Sequence, residues 1–292
     1  MRSSLALLAL GGLSAAAPLE VRKEAVSAAV FDKLAFYAQY SAAAYCRGNN
    51  DSPSSKLVCP EKNCDRVEAA KTNTTLEFEN SAKTDATGFV STDSTNNLIV
   101  ISFRGSQSSE NWAANFDFGL EDTSVCKSCK AHGGFLESWG EVKDKVLKSV
   151  KDAQTKNPKY KVIATGHSLG GAMATLAASS LRSSGTTVDL YTYGAPKVGN
   201  EEFNEFMIKT DKGNTFHSVH NKDIVPTLPP KIPILSPFEV NEPVYFIESG
   251  NVPAKQGDVS LYKAGEDHDN SGSSMDAHGW YYGEISACEG SD

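Results

Sequence analysis

The most constraining stretch of this 292-residue chain is Gly166-His167-Ser168-Leu169-Gly170, because of what stands on either side of it. Tyr160 to Thr165 ahead of it reads as a short strand, and Gly170-Gly171-Ala172-Met173-Ala174 behind it opens an apolar helix through Ala172 to Leu181. G-x-S-x-G at a strand-to-helix junction is a nucleophile elbow: the chain turns so sharply that the neighbours of the serine must be small, and its hydroxyl is left accessible at the top of a sheet. The bland alternative, a Gly-rich turn with an incidental serine, leaves that flanking strand and helix unexplained.

A serine hydroxyl is a poor nucleophile until a base takes its proton, so a histidine and a carboxylate to hold the imidazole must follow, in the order Ser, acid, His for this type of fold. Asp223 lies just beyond the strand-like Phe216 to His220, at its carboxyl end, where α/β sheets place functional loops. Downstream only His268 and His278 remain. His278 precedes the aromatic run Trp280-Tyr281-Tyr282, which can fix its ring, whereas His268 sits in the most polar stretch of the chain; His278 is the better base. His217 and His220 precede the acid and read as ordinary strand histidines. An oxyanion needs donors: the Leu169 N–H is one, and Ser106, in Arg104-Gly105-Ser106 directly after the apolar run Leu98 to Phe103, offers an N–H and a hydroxyl. Arg104 reads as a salt-bridge partner with no catalytic role.

Elsewhere, Phe31, Leu34, Ala35, Ala38 and Ala42 recur at helical spacing, giving an amphipathic helix over 27–45. A polar loop with two cysteines follows over 47–66. Leu98 to Phe103 is apolar throughout, as a central strand covered on both faces is. Leu136, Trp139, Val142, Val146 and Val150 line one face of a helix that Asn157-Pro158 ends. Val188 to Tyr193 and Phe216 to His220 add strands, and 251–276 reads as an irregular surface segment. Strands alternating with helices predict an α/β fold of α/β-hydrolase type, a mostly parallel central sheet flanked by helices in a single domain.

Met1-Arg2-Ser3-Ser4, the apolar run Leu5 to Leu13 and Ser14-Ala15-Ala16-Ala17 have the layout of a secretory signal peptide, 1–17. Arg22-Lys23 offers a dibasic cut after a short propeptide, 18–23, leaving a mature domain over 24–292. No later stretch predicts a transmembrane anchor. The net charge of −8 disfavours nucleic acid and anionic lipid as partners, and losing Arg2, Arg22 and Lys23 with only Glu20 makes the mature chain more acidic still. Six cysteines (Cys46, Cys59, Cys64, Cys126, Cys129, Cys288) in an exported chain predict three disulfides, with fifteen pairings open. A redox Cys126-Lys-Ser-Cys129, or a zinc cluster of that pair with Cys59 and Cys64, suits an oxidising compartment less well. Asn50-Asp51-Ser52 and Asn73-Thr74-Thr75 are glycosylation sequons, each equally readable as bare surface loop.

The chain resembles the secreted filamentous-fungal lipases of the class 3 family. The resemblance rests on Gln39 to Cys46, Phe103-Arg104-Gly105-Ser106, Glu110-Asn111-Trp112, Gly166 to Gly171, Tyr193-Gly194-Ala195-Pro196 with Val198-Gly199-Asn200, Asn221 to Pro226, and Ala277-His278 before Trp280-Tyr281. It implies Ser168, Asp223 and His278 as catalytic triad and Ser106 with Leu169 as oxyanion hole. It also implies the pairings Cys46 to Cys288, which would tie the N-terminal helix to a C-terminal one, Cys59 to Cys64, and Cys126 to Cys129. A short helical lid is implied near 109–116, with Trp112 and Phe116 as its main apolar contacts; Ser109 and Ala113 depart from the bulky aliphatics of similar lipases. Less apolar area means less gained on opening against lipid, at about 25 cal/mol per Å², so weaker interfacial activation and preference for dispersed, shorter-chain or partial glycerides are expected.

Ile224, Val225 and Leu228 are expected to line an apolar acyl groove. Asp267-His268-Asp269-Asn270-Ser271-Gly272 suggests a calcium loop only faintly, since position twelve is His278 rather than a closing Glu; no metal or cofactor is expected. The expectation is a monomeric, secreted carboxylic ester hydrolase acting on tri-, di- or monoacylglycerols at a transient lipid–water interface. A feruloyl esterase or phospholipase A1 on the same scaffold, and a lipid-binding protein without turnover, are the alternatives.

Overall fold

The computed structural model describes residues 23–51, 53–106, 119–230, 237–264 and 272–290. The expected leader 1–17, the segment 18–22, the expected lid 109–116 with Trp112 and Phe116, and His268 lie outside the described residues.

Eleven strands are described: β1 (Glu24–Ala25), β2 (Thr72–Phe78), β3 (Gly88–Asp93), β4 (Leu98–Phe103), β5 (Leu120–Asp122), β6 (Lys130–His132), β7 (Lys161–His167), β8 (Val188–Tyr193), β9 (Thr215–His220), β10 (Val244–Ile247) and β11 (Val259–Tyr262). Nine form one sheet in the order β1-β11-β10-β9-β8-β7-β4-β3-β2, while β5 and β6 form a small hairpin. The five central strands, β10, β9, β8, β7 and β4, are parallel; β2, β3, β11 and β1 pair antiparallel at the flanks. The α/β-hydrolase expectation holds.

Strand β4 is buried along its whole length because both faces are covered. Ile99, Ile101 and Phe103 pack with helices α3 (Gly133–Lys156), α4 (Leu169–Ser183) and α5 (Glu201–Lys209). Leu98 and Val100 pack on the opposite face with α1 (Ala28–Ala43). Helix α1 is fastened there by three polar bonds: the Ser41 and Thr165 hydroxyls at 2.8 Å, Ser102 Oγ donating to the Tyr40 carbonyl at 2.9 Å, and the Tyr193 phenol donating to the Leu34 carbonyl at 2.7 Å. Helix α3 shows the predicted stripe, burying Trp139, Val142, Val146 and Val150.

Register sets up the site. Phe103 pairs with Gly166, and His167 with Tyr193, so the chain leaving β4, β7 and β8 emerges at one edge of the sheet.

Three expectations change. The stretch 251–276 contains β11, whose Val259 and Tyr262 are buried against β10; its Gly and Asp neighbours hide a four-residue strand. The polar loop 47–66 includes a 3-10 turn, Arg47–Asn49, and the start of a short helix α2 (Asp65–Ala69). The disulfides are Cys46–Cys288, Cys59–Cys64 and Cys126–Cys129, but Cys288 lies in a run of turns, so α1 is tied to the C-terminal segment and not to a helix.

Candidate active site

Ser168 sits between β7 and α4 with φ 57° and ψ −131°, a backbone conformation that L-residues adopt at a cost of about 1–3 kcal/mol and that packing must hold in place. The glycines around it are required by contact. A Cβ on Gly166 would come within 2.1 Å of the Gly170 carbonyl oxygen, and one on Gly170 within 2.2 Å of that of Phe103. Helix α4 is therefore wedged under the end of β4 and is buried almost all round, which is why it is built of Ala and Gly. Its first N–H groups, at Leu169 and Gly170, have no intrahelical partner and point their positive dipole end at the serine.

Asp223 follows β9 and is fully buried. One carboxylate oxygen, Oδ1, accepts the Val225 N–H at 2.9 Å; the other, Oδ2, accepts both His278 Nδ1–H at 2.8 Å and the Tyr281 phenol at 2.5 Å. Close approach depends on two glycines. Gly194, at φ 58°, leaves room where a Cβ would stand 2.8 Å from Asp223 Oδ2, and a Cβ on Gly272 would come within 2.4 Å of the Asp223 carbonyl oxygen. The chain before His278 is pinned to the same place: the N–H groups of Ser273 and Ser274 both donate to the Lys222 carbonyl at 2.9 Å.

The structure thus brings Ser168, Asp223 and His278 together at one edge of the sheet. The Asp–His half is bonded. Ser168 Oγ and His278 Nε2 are both buried and hydrogen-bond neither each other nor any other described group. Buried polar atoms are nearly always paired, so an unpaired Oγ on the elbow and an unpaired Nε2 on the histidine held by Asp223 mark a place where something else binds; catalytic hydrogen bonds commonly tighten only once substrate is bound. Gly105 adjoins Ser168, since a Cβ on it would lie 3.0 Å from the serine Cβ, and this carries Ser106 to the rim of the site, half-buried. Arg104 is a salt-bridge partner as expected, its Nη2 donating to Asp85 Oδ2 at 2.9 Å. Ile224 and Leu228 are half-buried; Val225 is wholly buried and reaches the site through its N–H on Asp223.

Sequence reading missed a second layer. His167 Nε2–H donates to the His278 carbonyl at 2.8 Å, so in a neutral ring Nδ1 must be the acceptor, and it takes the Tyr45 phenol proton at 2.6 Å. Burial, with the neighbouring His278 second, holds His167 well below the ordinary histidine range. The Tyr45 oxygen in turn packs under Gly105, 2.1 Å from where a Cβ would be. Tyr45, His167 and Tyr281 thereby link the loop after β4, the elbow and the His278 turn. The sequence signals for this layer are the placement of Tyr45 within Gln39 to Cys46, of His167 within the elbow and of Tyr281 in the aromatic run after His278. Among the described residues no His, Cys, Asp and Glu group is arranged to hold a metal ion, and no helix is long and apolar enough to cross a membrane.

Two family profiles match the chain: lipase (class 3) over residues 100–232 and the lipase 3 N-terminal region over residues 1–76. The secreted mono- and diacylglycerol lipase A of Penicillium cyclopium is 35% identical over 98% of this chain and 95% of its own length. The crystal structure of the mono- and diacylglycerol lipase from Aspergillus oryzae superposes with a TM-score of 0.81 at 35% identity, covering 88% of this chain and 98% of that one. A triacylglycerol lipase whose catalytic centre is formed by a serine protease triad superposes with a TM-score of 0.77 at 29% identity, covering 91% of this chain and all of the other (100%).

Proposed function

The chain belongs to the class 3 lipase family, and on that premise we propose that Ser168 is the nucleophile, His278 the base and Asp223 the orienting acid of a secreted enzyme that hydrolyses glycerol esters through an acyl-serine. His278 Nε2 takes the hydroxyl proton as Ser168 Oγ attacks the ester carbonyl. The negative oxygen that forms is held by the Leu169 N–H and by the N–H and hydroxyl of Ser106, donors of a kind worth about a hundredfold to a thousandfold each in turnover. The protonated imidazole, steadied by Asp223, returns the proton to the departing glycerol oxygen. Water, activated by the same nitrogen, then attacks the acyl-serine, releasing the fatty acid and restoring Oγ–H. The observation that carries this reading is the pair of orphaned buried atoms, Ser168 Oγ and His278 Nε2, beside a His278 Nδ1 already committed to Asp223.

We place partial glycerides, mono- and diacylglycerols, ahead of triglycerides. Ser109 and Ala113 supply little apolar area to the stretch 109–116 that we assign as a lid, and the relative from Penicillium cyclopium is named for mono- and diacylglycerols. Exposed large hydrophobics among the described residues are only Val58, Ile208 and Val252, which favours action as a monomer.

The test is turnover by the purified protein and by Ser168→Ala on tri-, di- and monoglycerides, phosphatidylcholine and methyl ferulate, with fluorophosphonate labelling. The expected result is labelling that vanishes in Ser168→Ala and highest turnover on partial glycerides, with only a shallow rate increase above the solubility limit of tributyrin. Methyl ferulate or phosphatidylcholine as the best substrate would replace the substrate assignment; persistent labelling of Ser168→Ala would overturn the triad.

A further inference from the structure

The two N-glycosylation sequons meet opposite fates in the fold. Asn50 is only 2% exposed: its Nδ2 donates to the Ala44 carbonyl at 2.8 Å, just past the end of α1, and its Oδ1 is sealed in without a partner. A sugar on that nitrogen would have to occupy space the protein itself fills. Asn73 stands exposed on β2, the outermost strand of the sheet, its Nδ2 donating a single hydrogen to the neighbouring Thr74 carbonyl at 3.2 Å. An N-linked sugar leaves one amide hydrogen in place, so that bond survives modification.

We propose that Asn73, and not Asn50, carries an N-linked oligosaccharide, seated over the surface groove between β2 and α3. That groove encloses about 460 Å³ and is lined by Thr75, Lys145, Lys148, Ser149 and Lys156 beside Asn73 itself. Their hydroxyls and ammonium groups suit sugar hydroxyls. In the transfer, the Asn73 amide nitrogen forms a bond to the anomeric carbon of an oligosaccharide delivered on a polyisoprenyl pyrophosphate. The anomeric C–O bond breaks, the pyrophosphate carrier leaves, and the amide gives up one proton. The Thr75 hydroxyl, which the sequon requires, is engaged in the fold by Ser149 Oγ at 2.9 Å and the Val90 carbonyl at 3.2 Å. Transfer therefore precedes folding, and the fold then accepts a chain modified at Asn73 and rejects one modified at Asn50.

The position also explains why a glycan is harmless to the site. Asn73 is level with Thr92, and Thr92 with Ile99 near the start of β4, whereas Ser168 follows the far end of β7, beyond Gly166 opposite Phe103.

The test is peptide mapping of the full chain secreted from a yeast host, with glycan release by N-glycosidase in ¹⁸O-water. The expected result is ¹⁸O-labelled aspartate at position 73, unmodified Asn50, and loss of the glycan mass from the secreted Asn73→Gln variant. Enzymatic release of the glycan should leave kcat/KM on dispersed ester within twofold. An unmodified Asn73 or an occupied Asn50 overturns the proposal, and a larger change in kcat/KM overturns the remote placement of the glycan.

Discussion

Asp223 Oδ2 accepts two hydrogen bonds, and the shorter is from Tyr281 rather than from the histidine. The phenol also accepts the His220 N–H at 3.1 Å, so it is fixed at both ends between β9 and the segment after His278. A hydrogen bond to a charged group is worth about 1.5–3 kcal/mol. Removing this one frees the carboxylate to rotate away from the line that holds the imidazole. Tyr281→Phe is therefore expected to lower kcat by about ten- to a hundredfold, with KM changed little because the phenol is fully buried behind the site. Steady-state kinetics on a soluble ester check this; kcat within twofold of the parent would show that the Val225 and His278 bonds suffice to hold Asp223. Nothing local in the sequence marks this role. Asp223 and Tyr281 are 58 positions apart, as Tyr45 and His167 are 122 apart, and side-chain contacts across such distances follow from the way the sheet stacks its strands. Ser168, Asp223 and His278 were legible for a different reason: the elbow needs small residues at fixed spacing, and chain order leaves few partners for it.

Between elements, the loop joining β2 to β3 is tied to a half-buried carboxylate on α3. Glu141 accepts the hydroxyls of Ser81 and Thr84, each at 2.5 Å, and the N–H groups of Lys83 and Thr84, each at 3.0 Å. The same loop presents Asp85 to Arg104, and the Arg104 N–H donates to the Thr87 carbonyl at 3.0 Å, so Glu141 steadies the stretch that ends in Ser106. The Ser81 and Thr84 hydroxyls first, then the backbone donors, hold its carboxyl down at about 2. A carboxylate depressed in the folded state stabilises above its unfolded value near 4.5, and that contribution is lost as pH falls toward 2. Glu141→Gln should then lower the Tm at pH 7, with the difference from the parent narrowing below pH 4.5 and vanishing near pH 2. A pH-independent difference in calorimetric scans would instead point to packing. This loop is polar and without period, and so are the flanks of β10 and β11. The central strands announced themselves by continuous apolar runs such as Leu98 to Phe103, because both faces are covered; the flanking strands carry fewer and shorter apolar signals.

For the molecule as a whole, two histidines sealed inside the sheet set the acid limit of stability. His217 Nδ1 bonds the Thr192 hydroxyl at 2.5 Å in a fully buried position, and burial, with the charge of Arg182 second, pushes it down to about 3. His167 is held low by its own burial, and its Nδ1 can accept the Tyr45 phenol proton only while the ring is neutral. Unfolding releases each to the ordinary value of about 6.5, so below that pH the unfolded chain takes up protons that the folded chain refuses. Stability is complete above about pH 6.5 and falls with pH at about 1.4 kcal/mol per unit for each histidine. Glu289, raised by burial, works in the opposite sense. Unfolding at pH 5.5 should therefore take up about two protons from this pair, measurable from the dependence of calorimetric enthalpy on buffer ionisation. His217→Asn should reduce the uptake by about one. An uptake below one proton in the parent would mean that water reaches one of these rings in the folded state, and that the neutral chain from Tyr45 through His167 to His278 is not maintained in solution.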